Sequence, residues 1–375
     1  MAPITLHLRS ETKPLEHRSA LTPNVVRKLL DKGLKVNVER SPERIFDDAE
    51  FESAGATLVP EGSWPNVPED HIIIGLKELE DKDPFPLRHT HIQFSHCYKN
   101  QNGWKEVLGR FSRGGGMLYD MEFLENASGR RVAAFGYHAG YAGAALALMN
   151  WAWQIEHGKE PPLPGKRHYH YKDDLDKEVK EQVSKGAQKN GGRLPRVLVI
   201  GALGRCGTGA LDLCRLVAGI PEENLLKWDL EETRATTGPY PEIRESDVFV
   251  NSIYLNAAIP PFITTDFLRN GKRNLSVVCD VSCDTSNPFN PVPFADQLTY
   301  FNKPTTIVPD FDDPPLSYIT IDHLPSLLPR EASEAFSEAL LPSLLQLPER
   351  SSAPVWQKAE QLFREKVALL PSELQ

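Results

Sequence analysis

The chain has 375 residues, of which 40% are hydrophobic and 25% are charged, and its formal net charge at pH 7 is −9. This length accommodates two domains of ordinary size, each with its own hydrophobic core. The acidic balance excludes a surface that neutralises nucleic-acid phosphates or an anionic membrane. We therefore expect small-molecule partners, with no nucleic acid and no membrane.

The cysteines are odd in number and form no CxxC pair, which favours reduced thiols over a disulfide framework. They are Cys97, Cys206, Cys214, Cys279 and Cys283. The first residues lack the apolar core of a signal peptide, and the final residues, SELQ, are not a peroxisomal tripeptide. From these features we expect a cytoplasmic protein.

The beginning of the chain predicts a β-α-β unit. Residues 4–8 alternate as a strand does, and Thr22 followed by Pro23 predicts a helix that runs through residue 30 and stops at Gly33. Residues 34–38 predict the next strand. An α/β domain is therefore expected in this part of the chain.

Two further predicted strands, residues 71–77 and 91–96, end in ionisable side chains, Lys77 and His96. The carboxyl ends of parallel strands face the ligand crevice, so both residues are candidates for a site. A solvated lysine and a structural histidine are the alternatives. A metal site at His89, His91 and His96 is disfavoured, because the first two share one strand face with no acidic or cysteine ligand close by.

The middle of the chain predicts helices. Residues 121–131 are charged and rich in turns, and residues 139–157 predict a long buried helix in which Gly140 and Gly143 allow close packing. Residues 160–165 interrupt the pattern. Residues 172–188 predict a strongly charged, solvated helix.

A strand, a glycine turn and a helix follow. Residues 197–200 (VLVI) are apolar, Gly201, Gly204 and Gly207 mark the turn, and residues 210–217 resume helical periodicity. Such a turn admits a dinucleotide pyrophosphate at the start of a helix. Leu203 occupies the third place, where the usual fingerprint has glycine, so the motif is a weaker signal. The alternative is a glycine-rich turn that serves packing alone.

Asp229 lies in the predicted strand 225–230, about 20 residues beyond the last glycine of the turn, where a ribose-binding carboxylate is expected. A carboxylate there repels the 2′-phosphate of NADP, so NAD is favoured.

The rest of the chain continues this pattern. Residues 247–254 and 275–281 predict strands that end in Tyr254 and Val281, near a nicotinamide ribose, and residues 282–288 predict a polar loop. Residues 319–325 predict a short final strand that delivers Asp322 and His323 to a loop. Residues 331–345 and 356–369 predict amphipathic helices.

The sequence resembles the NAD-dependent, lysine-forming saccharopine dehydrogenases of the fungal α-aminoadipate route, within an alanine dehydrogenase-like superfamily. The matching blocks extend over essentially the whole chain and are long enough to be specific. They are LHLR at 6–9, ETKPLE at 11–16, IIIGLKE at 72–78, HIQFSHCYK at 91–99, RRVAAFG at 130–136, IGALGRCG at 200–207 and IDHLPSLLPREAS at 321–333. Leu203 is part of this family's phosphate turn.

The resemblance implies an α/β fold with two Rossmann-like domains, each with a parallel sheet, around a central cleft. It implies a discontinuous substrate and catalytic domain, residues 1–134 and 325–375, and an NAD-binding domain, residues 135–324. It also implies that saccharopine, NAD and water give lysine, 2-oxoglutarate and NADH, the last step of lysine biosynthesis by that route. We expect a monomer and no metal.

The resemblance also implies roles for individual residues. Lys77 takes a proton from the secondary amine, and His96 assists the addition of water to the imine. The substrate-binding residues are Arg18, Lys77, Gln101, Arg131, Phe135 and Ser282. The cofactor-binding residues are Arg130, Gly201, Leu203, Gly204, Gly207, Asp229, Thr233, Tyr254, Val281, Ile321, Asp322, His323 and Leu324.

These roles agree with the chemistry of the residue types. Saccharopine is a tricarboxylate, and the guanidinium groups of Arg18 and Arg131 bind carboxylates bidentately. A lysine acts as a base near neutral pH only if its pKa is lowered, whereas an imidazole that titrates near pH 6.5 suits proton transfer to and from water.

Two other functions stay open, another amino-acid dehydrogenase of the alanine dehydrogenase type and a non-catalytic NAD-binding sensor. Some members of the family place a cysteine where Ser252 stands here. The disulfide that this cysteine forms in those members is therefore unavailable to Cys206.

Overall fold

The computed structural model describes residues 3–79, 84–283, 285 and 287–374. The chain divides into two compact units, a first unit of residues 1–134 and 329–375 and a second unit of residues 135–328. Two residues of the predicted polar loop 282–288, Asp284 and Ser286, lie outside the described residues. The substrate and cofactor roles expected of the two domains stay predictions.

The strands of the described residues are short, and most have the β-branched or apolar character of buried strands. In chain order they are β1 Thr5–Leu8, β2 Lys35–Glu39, β3 Thr57–Val59, β4 Ile72–Ile74, β5 Thr90–Gln93, β6 Met117–Asp120, β7 Val197–Ile200, β8 Leu225–Trp228, β9 Val248–Asn251, β10 Val277–Asp280, β11 Thr306–Asp312 and β12 Pro315–Ile319.

The α-helices vary more in length. In chain order they are α1 Pro23–Asp31, α2 Asp48–Ser53, α3 Trp104–Gly114, α4 Gly136–His157, α5 Lys172–Lys189, α6 Arg205–Asp212, α7 Leu230–Ala235, α8 Pro241–Glu245, α9 Thr265–Arg269, α10 Pro329–Leu344 and α11 Pro354–Val367. No helix within the described ranges is long and apolar enough to cross a membrane.

The described strands of the first unit form one sheet in the order β3-β2-β1-β4-β5-β6, and all their pairings are parallel. The strand order reverses between β1 and β4, which makes this the topological switch point where open α/β sheets bind ligands. Helix α1 begins as predicted, with Pro23 in its first turn and the Thr22 hydroxyl accepting a hydrogen bond from the Val25 amide at 3.4 Å.

The second unit repeats this plan. Its described strands are ordered β11-β12-β10-β9-β7-β8, and only β11 is antiparallel to its neighbour. Strand β7 lies between β8 and β9, so a second switch point falls at the carboxyl end of β7. The two Rossmann-like sheets confirm the predicted fold class.

Helix α4 packs closely against α6 at Gly140 and against β10 at Gly143, as the predicted role of its glycines requires. A Cβ on Gly140 would lie 1.7 Å from the Cys206 carbonyl oxygen, and one on Gly143 would lie 3.0 Å from the Cys279 Sγ atom. On α6, a Cβ on Gly209 would lie 1.9 Å from the Tyr137 carbonyl oxygen. Only glycine allows these backbones to approach so closely.

Several predicted boundaries are wrong; the strands predicted at 71–77 and 247–254, for example, end at Ile74 and Asn251. The predicted strand 319–325 is not formed: β12 ends at Ile319, and a 3-10 helix, Leu324–Leu327, follows with Pro325 near its start, where a proline cannot extend a strand ladder. The predicted helix 210–217 begins earlier, at Arg205, and its last turn, Leu213–Val217, is π-helical. Gly207 and Gly209 therefore lie inside α6.

Candidate active site

The first unit brings Lys77 and His96 to the same edge of its sheet. Lys77 follows β4 and His96 follows β5, and these neighbouring strands are parallel. The predicted strand 91–96 ends at Gln93, so His96 lies in a loop, where its backbone adopts the left-handed conformation with φ 49°. Both side chains therefore lie at the carboxyl edge that binds ligands in such folds.

The surroundings of Lys77 favour its neutral form. Burial lowers the pKa of Lys77, and the nearby cations Arg18 and Lys13 lower it further, while Glu78 and Glu16 oppose the shift. Removal of an ammonium from water and repulsion by like charges both penalise the charged form. A lysine in this position is equipped to act as a base.

His96 is half-exposed, and its Nε2 atom lies 3.8 Å from a carboxylate oxygen of Glu78. Burial lowers the pKa of His96 and the Lys77 ammonium adds to this, although the Glu78 carboxylate opposes it. The imidazole is thus kept mainly neutral and in contact with solvent, as proton exchange with water requires.

Arg18 is buried and forms a two-pronged ion pair with Glu16. Its Nε and Nη2 atoms donate to the two Glu16 oxygens at 2.8 Å and 2.7 Å. Burial alone would raise the pKa of Glu16, but the Arg18 guanidinium holds it at about 2. The edge of Arg18 formed by Nε and Nη2 faces Glu16.

Another carboxylate, Glu122, contacts two further cations of the first unit. It lies 3.5 Å from the Arg131 guanidinium and 2.7 Å from the Lys99 ammonium. The Gln101 side-chain oxygen accepts a hydrogen bond from the Lys99 amide at 2.8 Å, which orders the loop after His96. Arg131 and Gln101 are thereby placed in the same unit as Lys77 and His96.

Sequence reasoning assigned no role to four charged residues of this cluster, Lys13, Glu16, Glu78 and Glu122. Lys13, Glu16 and Glu78 stand inside blocks that carry the family resemblance, and Glu78 directly follows Lys77. The position of Glu78 next to Lys77 was the sequence feature that could have indicated a role for it. The long-range contacts of Glu122 with Lys99 and Arg131 left no pattern along the chain.

The glycine turn of the second unit is built for close approach. Gly201 has φ +87°, and the amides of Gly201 and Ala202 both donate to the Trp228 carbonyl oxygen, at 2.8 Å and 3.0 Å. A Cβ on Gly207 would lie 2.1 Å from the Gly201 carbonyl oxygen. Gly204 precedes the first residue of α6, so the turn leads directly into a helix N-terminus.

Asp229 lies next to this turn, at the end of β8. Its carboxylate accepts hydrogen bonds from the Leu203 amide at 3.0 Å and from the Leu230 amide at 2.9 Å. Thr233 is held nearby, because its hydroxyl donates to the Asp229 carbonyl oxygen at 2.8 Å. Leu203 is 85% exposed at this turn. These residues fit a dinucleotide.

The ends of β9 and β10 are tied together beside the turn. The Asn251 side-chain amide donates to Asp280 at 2.9 Å, and the Ser282 hydroxyl donates to the same carboxylate at 2.6 Å. Val281 follows β10 and packs against α4, whereas Tyr254 is 60% exposed. The structure thus places Ser282, Val281 and Tyr254 at one edge of the second sheet.

The remaining predicted site residues are distributed as follows. Ile321 and Leu324 are buried, and the His323 ring is hydrogen-bonded to Asp322 and contacts Phe301 edge-on. Phe135 precedes the first residue of α4 in the second unit, whereas Arg130 is exposed on the first unit.

No metal cluster is found in the part of the chain that the structure describes. The His89 ring contacts the Val67 carbonyl oxygen at 3.1 Å, and the His91 ring is fully buried against Trp64 and Phe111. All five cysteines lie within the described residues, and none of them forms a disulfide.

The fold matches solved structures over nearly its whole length. An L-alanine dehydrogenase covers 97% of this chain at a TM-score of 0.66 and 16% identity, and a transhydrogenase from Sinorhizobium meliloti covers 92% at a TM-score of 0.61 and 15% identity. Residues 7–142 match the family described as Alanine dehydrogenase/PNT, N-terminal domain. The fold class is therefore that of two-domain enzymes of the alanine dehydrogenase and transhydrogenase type.

Similarity to curated proteins is much higher. Saccharopine dehydrogenase [NAD(+), L-lysine-forming] of Neurospora crassa is 61% identical over 99% of this chain and 98% of its own length, and that of Yarrowia lipolytica is 60% identical over 98% of both. The enzyme of the same name from Emericella nidulans is 57% identical over 97% of both. The chain belongs to the family of NAD-dependent, lysine-forming saccharopine dehydrogenases.

Proposed function

We propose that this chain catalyses the oxidative cleavage of L-saccharopine: saccharopine, NAD and water give L-lysine, 2-oxoglutarate, NADH and a proton. The reaction is the last step of lysine biosynthesis by the α-aminoadipate route. The observation that carries the proposal is the Lys77–His96 edge of the first sheet in a chain whose whole length matches saccharopine dehydrogenases.

Lys77 supplies the base that the first step needs. A protonated secondary amine has no lone pair to push electrons toward the carbon that is oxidised, so its proton must leave first. The lowered pKa of Lys77 lets its neutral amine accept that proton near neutral pH. The rate of this step therefore rises with pH until Lys77 is fully deprotonated.

His96 supports the second half of the reaction. Water adds to the carbon of the substrate imine, and the C–N bond to the lysine nitrogen then breaks as that nitrogen is protonated. The half-exposed His96 imidazole, kept neutral beside Glu78, accepts a proton from the attacking water. Arg18 and Arg131 bind substrate carboxylates, together with Gln101, Phe135 and Ser282.

The second unit holds NAD, which accepts a hydride from the substrate carbon when it is bound. Gly201, Gly204 and Gly207 admit the pyrophosphate, and the Asp229 carboxylate accepts the ribose hydroxyls. Leu203, Thr233, Tyr254, Val281, Arg130 and residues 321–324 complete the cofactor contacts. The first unit acts as the substrate domain.

One assay tests the reaction. NADH oxidation is followed by absorbance with lysine and 2-oxoglutarate, and each substrate is omitted in turn. We expect turnover only when both are present. Turnover with pyruvate and ammonia instead would identify an alanine dehydrogenase-type enzyme, and unchanged NADH absorbance with every substrate pair would identify a non-catalytic NAD-binding protein.

We further propose that the enzyme works as a monomer in the cytoplasm. The acidic net charge supports this proposal, as do the cysteines, none of which forms a disulfide in the structure. Light scattering coupled to gel filtration should give a mass near 42.0 kDa. A dimer mass, or fluorescence of the tagged chain confined to an organelle, would contradict the corresponding part of the proposal.

A further inference from the structure

A buried arginine lies at the switch point of the first sheet, directly behind Lys77. Arg9 follows β1, and its side chain is only 1% exposed. Strand β1 is paired with β4, the strand that leads to Lys77, and the Arg9 amide donates to the Ile74 carbonyl oxygen at 3.0 Å. Neither the family resemblance nor the mechanism above assigns a role to this side chain.

Arg9 and Glu11 hold the Lys77 peptide from both sides. The Arg9 Nη2 atom donates to the Lys77 carbonyl oxygen. The Glu11 carboxylate accepts from the Leu76 amide at 2.6 Å and from the Lys77 amide at 3.0 Å, and it lies 3.4 Å from the Arg9 guanidinium. The backbone of the proposed base is thus fixed by charged groups, and such bonds are stronger than those between neutral groups.

Gly75 provides the space that Arg9 needs. A Cβ on Gly75 would lie 2.3 Å from the Arg9 Nε atom and 2.5 Å from its Cζ atom, so any other residue would displace the guanidinium. Gly75 directly follows the apolar strand β4, and its φ is not in the positive range that favours glycine. The close approach of Arg9 therefore explains why a glycine stands at this position.

The same guanidinium is connected to the His96 loop. Arg9 Nη2 also lies 3.4 Å from the Gln93 side-chain oxygen, and the Gln93 Nε2 atom donates to the Ser95 hydroxyl at 3.0 Å. The Ser95 amide donates to the buried Asp120 carboxylate at 3.2 Å. A continuous buried chain of hydrogen bonds therefore joins the backbone of Lys77 to the loop that carries His96.

We propose that Arg9 is a positioning residue for the proposed reaction: its guanidinium, in the space that Gly75 leaves, fixes the Lys77 backbone relative to the His96 loop. The proposal rests on the proposed function for its kinetic consequence. Arg9 touches the backbone of Lys77 and not the reacting atoms, so it acts through Lys77.

The kinetic test compares Arg9→Met with Arg110→Met, which removes another buried arginine of the same unit, one that donates to the Phe85 carbonyl oxygen away from this edge. We expect Arg9→Met to lower kcat about tenfold or more, because small displacements of a catalytic group are costly. The dissociation constant of NADH should stay unchanged in both variants, and Arg110→Met should keep the wild-type kcat.

A double variant separates positioning from general stability. If Arg9 acts through Lys77, adding Arg9→Met to Lys77→Met lowers the residual rate by less than about twofold. A further loss as large as that seen in the wild-type background would overturn the proposal. Should Arg9→Met fail to fold, Arg9→Lys is used, because it keeps the charge but lacks the planar fork; its expected loss of kcat is about threefold.

A readout that needs no activity keeps this proposal separate from the proposed function. The pH dependence of acetylation of Lys77 by acetic anhydride, followed by mass spectrometry, reports the pKa of its ammonium. In Arg9→Met or Arg9→Lys that pKa should rise toward the ordinary lysine value, because a loosened backbone lets the ammonium reach water. A labelling profile identical to that of wild type and Arg110→Met would refute the positioning role, even if the chain proved inactive with lysine and 2-oxoglutarate.

Discussion

The two sheets share the same arrangement of strands around their first strand, but different kinds of residues lie at their carboxyl edges. In each unit the first strand lies between two parallel neighbours, β1 between β2 and β4, and β7 between β8 and β9. The edge of the first sheet is dense in buried charge, including Arg9, Glu16 and Arg18. At the edge of the second sheet, the turn around Gly201 and Gly207 is made of glycines and main-chain amides, beside the buried Asp280.

This difference teaches that topology decides where a site lies, while side chains decide what it does. The first edge must shift pKa values, and this requires charges removed from water and paired with one another. The second edge must admit a large anion next to the backbone, and this requires missing Cβ atoms. The first edge should therefore respond to changes of charge and pH, and the second to added methyl groups.

The largest effect should come from Lys77→Met at the charged edge. We expect kcat to fall by about 10²–10⁴-fold, because the proposed base for the substrate amine is lost. NADH affinity, measured by fluorescence titration, should be unchanged. Lys32→Met, which removes an exposed lysine at the end of α1, is the control and should leave kcat as it is. A near-normal rate in Lys77→Met would remove this residue from the mechanism.

At the glycine edge, Gly207→Ala should raise the dissociation constant of NADH by about tenfold or more, equivalent to about 1.4 kcal/mol. The new Cβ would meet the Gly201 carbonyl oxygen at 2.1 Å and force the turn open. Gly219→Ala is the control: its φ is +66° and no atom lies within 4 Å, so it should cost about 1 kcal/mol of unfolding free energy. Equal NADH affinities in the two variants would contradict the predicted role of the turn.

A smaller effect is expected for Asp229→Ala. The variant loses the carboxylate that repels a 2′-phosphate and anchors the Leu203 amide, so NAD should bind about tenfold more weakly, and the preference over NADP should shrink. Asp266→Ala, an exposed aspartate of the same unit, is the matched control. If Asp229→Ala keeps its NAD affinity, the ribose contact lies elsewhere.

The smallest expected effect is a pH shift in Lys13→Gln. Lys13 lowers the pKa of Lys77, so its removal should raise that pKa and move the rising limb of kcat/KM against pH to higher pH. The shift should be roughly a few tenths of a unit, because Lys13 is partly exposed and screened by salt. Lys227→Gln, on the second unit, should leave the limb in place. A shift to lower pH in Lys13→Gln would refute the proposed repulsion.

Local sequence patterns predicted much of the fold. The apolar strand before Gly201, the helix that begins after Thr22 and the close packing at Gly140 and Gly143 were predicted from residues that are neighbours in sequence. By contrast, α2, α3, β6 and the β11–β12 hairpin were not predicted. Their boundaries are set by packing, as where Gly114 and Gly116 pass within contact distance of the Leu87 backbone.

The candidate site divides in the same way. The sequence by itself determined the glycine turn, the acid at Asp229 and the apolar strands that precede Lys77 and His96, because strands and turns are encoded in short, periodic stretches. Only the tertiary structure decided that Arg9 forms a hydrogen bond with the Lys77 backbone and that Glu122 forms one with Lys99. It also decided that the Lys77 side chain is buried, which lowers its pKa. Those contacts join residues far apart in the chain and depend on burial, which no local pattern records.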